Sequence, residues 1–70
     1  MNYNGLKAAI VGRGFSQTDF IKKIGMTKKE WYSRMSGAVS FKQRDISIIA
    51  SVLQLSPVEI CDIFFAEKVS

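Results

Sequence analysis

Seventy residues with a hydrophobic fraction of 47%, a charged fraction of 23% and a net charge of +4 suit one small globular domain and exclude a disordered chain. No apolar run approaches the roughly 20 residues of a membrane span, and a lone Cys61 excludes an internal disulfide or a multi-thiolate metal site. Histidine is absent, and no serine, lysine or carboxylate constellation takes its place, so the expectation is a non-enzymatic protein without cofactor or metal. Met1-Asn2-Tyr3-Asn4 lacks the basic start of a secretory signal, which predicts a cytoplasmic location. A chain this short buries only about 60% of its unfolded surface. The predicted architecture is all-α, a compact five-helix bundle in a single domain over residues 1–70.

The first predicted helix runs from Leu6 to about Gly12, with Leu6, Ala9 and Ile10 on one side and Gly12-Arg13-Gly14 ending it. The second, Gln17 to Ile24, opens at Ser16-Gln17-Thr18-Asp19. There a hydroxyl can accept from free backbone amides, and an acidic side chain three positions on can reach back. Phe20, Ile21 and Ile24 form its buried stripe, while Thr18, Asp19 and Lys22 face outward. Beyond Gly25 the same pattern recurs at Thr27-Lys28-Lys29-Glu30 and starts a third helix, about Lys28 to Met35, stopped by Ser36-Gly37. Two helix starts this close leave room for a short helix, a tight turn and a second helix, the outline of a helix-turn-helix over about residues 16–36. A fourth helix is predicted after Ser40, with Ser40-Phe41-Lys42-Gln43 as its start and Ile46, Ile49, Ala50 and Leu53 as its stripe. The fifth opens at Ser56-Pro57-Val58-Glu59, which offers a serine cap, proline at the first helical position and glutamate at the third.

Charge is segregated along the chain. Residues 1–44 hold nine basic side chains against Asp19 and Glu30, a net of +7; residues 45–70 hold Lys68 against Asp45, Glu59, Asp62 and Glu67, a net of −3. Scattered lysines usually do no more than solvate helix surfaces. A basic half set against an acidic half instead suits a polyanion bound on one side, with phosphates neutralised there and the acidic part turned away.

The third helix carries the base-reading expectation. At about 100° per residue, Trp31 and Met35 lie within about 40° of each other and form the inward face, with Trp31 a core anchor. Lys29, Glu30 and Ser33 lie broadly opposite, Tyr32 sits on the flank, and Lys28 projects from the first turn, where such helices approach base edges. Lysine can donate to guanine O6 and N7, serine can donate or accept, and a tyrosine ring can meet a thymine methyl or reach phosphate. Glu30 could accept from cytosine N4, but the T-x-x-E box accounts for it without DNA.

Taken together, Gly14-Phe15-Ser16-Gln17, Phe20, Ile24-Gly25-Met26-Thr27, Trp31 and Gly37 resemble the lambda-repressor-like, Cro/CI-type helix-turn-helix proteins. Ile46, Ile49-Ala50, Leu53, Leu55-Ser56 and Ile63-Phe64-Phe65 extend the likeness over residues 5–65, toward the small Cro-like regulators of temperate phages of Gram-positive bacteria. The resemblance implies that Gln17 contacts a phosphate, that Lys28, Lys29, Tyr32 and Ser33 occupy base-reading positions, and that Lys42 and Arg44 grip the backbone of the same half-site. Three places depart from the family pattern. Ile21 stands where alanine is usual, which implies a wider helix crossing. Arg34 replaces an often apolar residue near the end of the recognition helix, with Met35 taking the inward role. Ile10 and Met35 hold positions that many relatives fill with an arginine and a glutamate, and an apolar contact is expected between them.

The C-terminal half carries surplus apolar surface. Ile48 and Val52 lie roughly opposite the main stripe of the fourth helix, and Val58, Ile60, Cys61, Ile63, Phe64 and Phe65 spread around the fifth. Either these residues form a second buried face, or Ile48, Val52, Val58 and Phe65 contribute to a protein interface. A homodimer would place two recognition helices one DNA turn apart, about 34 Å, on a palindromic operator. A CI-type repressor protein is the other candidate partner. Cys61 reads as a small hydrophobe without chemistry. Two functions are therefore expected: a Cro-like transcriptional regulator that binds double-stranded operator DNA and influences the lytic/lysogenic switch, or an antirepressor that binds a CI-type repressor with little DNA binding of its own.

Overall fold

Five helices make up the computed structural model, which describes residues 1–65: α1 (Tyr3–Gly12), α2 (Gln17–Lys23), α3 (Lys28–Met35), α4 (Gln43–Leu53) and α5 (Pro57–Phe64). No strand occurs among the described residues, and none of the described helices is long and apolar enough to cross a membrane. Glu67 and Lys68, counted above with the acidic segment, lie outside the described residues.

Two helix starts follow the sequence closely, and three depart from it. Thr27 Oγ1 accepts from Glu30 N at 3.1 Å while Glu30 Oε1 accepts from Thr27 N at 3.0 Å, and Ser56 and Glu59 repeat this reciprocal arrangement at α5. Pro57 opens α5, where its missing N–H costs nothing. At α2 only half of the expected box forms: Ser16 Oγ accepts from Asp19 N at 3.1 Å, without a return bond from Asp19. Helix α1 begins three residues earlier than the apolar pattern predicts, because Asn2 Oδ1 accepts from Gly5 N at 2.8 Å. Tyr3-Asn4-Gly5 has no apolar periodicity, so the cap alone signals this start. Helix α4 begins later than predicted, at Gln43, and Ser40 does not cap it. Its cap position is Lys42, whose backbone N–H donates to Asp45 Oδ2 at 3.0 Å.

The turn between α2 and α3 is closed by a Schellman motif, in which Gly25 N donates to Lys22 O at 3.1 Å and Met26 N to Ile21 O at 3.2 Å. Gly25 has φ +77°, a conformation that side chains with a Cβ disfavour. Helix α4 ends in a similar way but without glycine: Gln54 takes φ +54° and Leu55 N donates to Ala50 O at 2.9 Å.

Leu6, Ile10, Phe20, Ile21, Ile24, Trp31, Ile49, Leu53, Ile63 and Phe64 form one core to which all five helices contribute. Phe15, Phe20, Trp31, Phe41 and Phe64 follow one another through it as edge-to-face pairs with ring centroids 5.6–5.9 Å apart, the favoured geometry for aromatic quadrupoles. The chain start is tied to the last helix by Asn2 N donating to Ile63 O at 2.7 Å. Ile21 is fully accommodated in this core. Ile10 is buried in this core and Met35 is half-buried against it.

Candidate nucleic-acid interface

Helix α3 turns three side chains inward: Trp31 is wholly buried, Arg34 is buried and Met35 is half-buried. With those three inside, Lys29, Tyr32 and Ser33 occupy an adjoining arc of about 100° on the outer side. Lys28, Lys29 and Tyr32 are exposed, while Ser33 is half-buried and its carbonyl accepts from Ser36 Oγ and Val39 N. Glu30 is exposed but engaged by the cap. The N–H of Thr27, reinforced by the Thr27 hydroxyl, holds its carboxyl below the usual carboxylate range.

Arg34 extends the sequence expectation, which gave the inward role at this point to Met35 alone: Met35 packs against the core as expected, and Arg34 turns inward beside it. The Arg34 guanidinium enters the bundle, where Nε donates to Asp45 Oδ2 at 3.1 Å and Nη1 donates to the Glu30 carbonyl at 3.1 Å. A signal was present in the sequence: Arg34 is three positions after Trp31, and Asp45 stands four before Ile49 and eight before Leu53, so both lie on inward stripes.

The start of α4 is packed beside α3 by two contacts. Phe41 meets Trp31 edge-on at 5.9 Å, and Asp45 accepts from both Arg34 and the Lys42 backbone. Lys42 and Arg44 stand exposed at this junction. The side chains of Lys28, Lys29, Lys42 and Arg44 make no ion pair or hydrogen bond among the described residues, which leaves four cations uncommitted around α3 and the α4 start. The backbone N–H of Lys42, by contrast, is already taken by Asp45. Gln17 is half-buried and lines a hollow of about 190 Å³ with Lys7, Ile10 and Val11 rather than standing free.

On the opposite part of the sequence, Val58 and Phe65 are exposed, by 68% and 60%, Ile48 is marginally exposed, and Val52 packs partly against the core. Ile63 and Phe64 are buried and Ile60 half-buried, so the apolar circumference of α5 is divided between core and surface. Phe41, Ile46, Ala50, Ile60 and Phe65 line an open groove of about 440 Å³, with Gln43 and Ser47 at its polar side.

The fold and this surface define a small helical protein with a cation-bearing helix pair. No protein-family model, curated protein or solved structure matches the chain.

Proposed function

We propose that the chain is a lambda-repressor-like, Cro/CI-type helix-turn-helix regulator that binds double-stranded operator DNA and influences the lytic/lysogenic choice of a temperate phage in its bacterial host. The observation that carries this reading is the set of four uncommitted cations, Lys28, Lys29, Lys42 and Arg44, around an α3 whose exposed arc also presents Tyr32. Lys28, Lys29, Tyr32 and Ser33 read base edges, and Lys42, Arg44 and Gln17 hold phosphates. This work needs no cofactor and no catalysis. Lys29→Ala tests it: binding to the preferred duplex weakens about tenfold, and binding to mixed-sequence duplex weakens much less. Equal losses on both would remove Lys29 from base reading.

A second reading is favoured by the apolar groove beside exposed Phe65. In it the chain acts as an antirepressor that binds a CI-type repressor protein through the α4–α5 surface. Phe65→Ser then abolishes any effect on repressor–operator complexes and leaves DNA binding by the chain itself unchanged.

A further inference from the structure

Asp45 Oδ2 receives two donors from different segments, Arg34 Nε of α3 at 3.1 Å and the Lys42 N–H that precedes α4 at 3.0 Å. Arg34 is itself held at a second point, the Glu30 carbonyl one turn back along α3. Between these anchors the chain runs through Ser36, Gly37, Ala38, Val39 and Ser40, all exposed, with Gly37 at φ +85°. The link between the end of α3 and the start of α4 therefore takes little of its position from the core. Val39 N ties the link back to the Ser33 carbonyl at 3.1 Å, and two further contacts that differ in kind join α3 to the start of α4. The Phe41–Trp31 pair is apolar and tolerates sliding, whereas the Arg34–Asp45–Lys42 chain of hydrogen bonds is directional and fixes both distance and angle.

A buried ion pair gives little net stability over well-packed apolar side chains, and its attested use is to fix one arrangement among several. We infer that Arg34 and Asp45 are positioning residues that lock α3 to the start of α4, so that base reading by Lys28, Lys29 and Tyr32 and phosphate gripping by Lys42 and Arg44 share one register. The inference rests on the DNA-binding reading above. Neither residue touches DNA; the pair acts by deciding where the Lys42 and Arg44 side chains meet the backbone when α3 is seated in the groove.

The test is duplex selection followed by affinity measurement. The wild-type chain selects its preferred duplex from a random-sequence library, and affinities are then measured for that duplex and for a mixed-sequence duplex of equal length. The variant Arg34→Met/Asp45→Asn removes one positive and one negative charge, so net charge is unchanged, and asparagine retains an acceptor for the Lys42 N–H. Circular dichroism and the fluorescence of the single tryptophan, Trp31, establish that it is folded. The expected result is mixed-sequence affinity within about twofold of wild type, because the contacting cations remain. Preference for the selected duplex falls about tenfold, the share of one well-placed base contact. A role in stability alone would lower both affinities by one factor through the unfolded fraction, and that result, like an unchanged preference, overturns the inference. Arg34→Lys keeps the charge but loses the fork that spans Asp45 and the Glu30 carbonyl. It lowers the preference in the same direction, and an unchanged preference there overturns the inference even if the double variant does not fold. A wild-type chain that selects no duplex defeats the DNA-binding reading itself, and the inference with it, whereas selection with unaltered preference in the variants defeats the inference alone.

Discussion

Arg34 Nε and Asp45 Oδ2 lie 3.1 Å apart inside the bundle, with the two side chains only 10% and 8% exposed. Removing one partner strands the other: Arg34→Met is expected to destabilise the fold by about 3 kcal/mol, because Asp45 is left buried without its cation. Replacing both, as Arg34→Met/Asp45→Asn, is expected to recover most of that loss. Urea unfolding of the two single variants and the double variant measures the coupling directly, and additive losses would show that the pair does not act as a unit.

Thr27→Ala and Ser56→Ala are each expected to cost about 1 kcal/mol, because each hydroxyl accepts from the third amide of its helix. Ser16→Ala removes a comparable bond from α2 but breaks no reciprocal box, so its effect stays at or below theirs. Thermal unfolding of the three variants compares them.

Stability falls in acid for a reason visible at the same caps. The backbone N–H of Thr27 and that of Ser56, each helped by its own hydroxyl, lower the pKa values of Glu30 and Glu59. A carboxylate lowered on folding adds stability that is fully present above its unfolded value, about 4.3, and is lost as pH falls through its lower folded value. The melting temperature is therefore expected to drop below about pH 4.3. The drop should be shallower in Glu30→Gln/Glu59→Gln, whose side chains keep an acceptor without titrating. An identical slope in both proteins would assign the acid loss to other groups.

The legible part of this fold is the part written in local signals. Thr27 with Glu30, Ser56-Pro57 with Glu59, Gly25 and Gly37 each act within a few residues of chain, and the structure uses them as the spacing predicts. The stripes through Phe20, Ile21, Trp31, Ile49 and Leu53 were equally readable, since burial follows the helical period. What periodicity could not supply was the fate of a charged residue on an inward stripe. Arg34 enters the bundle because Asp45, eleven positions away, meets it there, and that partnership exists only in three dimensions. The early start of α1 has no periodic signal, because its cap, Asn2, precedes residues with no apolar pattern. The α4 start lies beyond Ser40 because Asp45 satisfies the Lys42 amide from inside the helix, where a carboxylate rather than a serine is the signal. Among the candidate DNA contacts, Lys28, Lys29, Tyr32, Lys42 and Arg44 are exposed, whereas Ser33 and Gln17 are half-buried, Gln17 against α1, which sequence spacing alone does not reveal.

Gln54 closes α4 at φ +54°, a region that costs a side chain with a Cβ about 1 kcal/mol relative to glycine. Its backbone carbonyl, not its side chain, accepts from Arg13 Nη2 at 3.3 Å, so a glycine there would keep that bond. Gln54→Gly is expected to stabilise the protein by up to about 1 kcal/mol, with the gain reduced by the greater freedom of glycine in the unfolded chain. Destabilisation on urea unfolding would mean that the Gln54 side chain contributes more than its backbone geometry costs.

On the proposed reading, the cations around α3 and the start of α4 bind duplex DNA. An electrophoretic shift titration on the selected duplex over a range of salt concentrations tests it most directly, using the wild type, Lys42→Ala and Arg44→Ala, with and without a CI-type repressor. The expected result is a shift by the chain alone, a logarithmic salt slope of about −0.9 per neutralised phosphate, and a slope shallower by about 1 in each variant. No shift at low salt, together with an altered repressor shift when the chain is added, would contradict it and give the apolar α4–α5 surface the functional role instead.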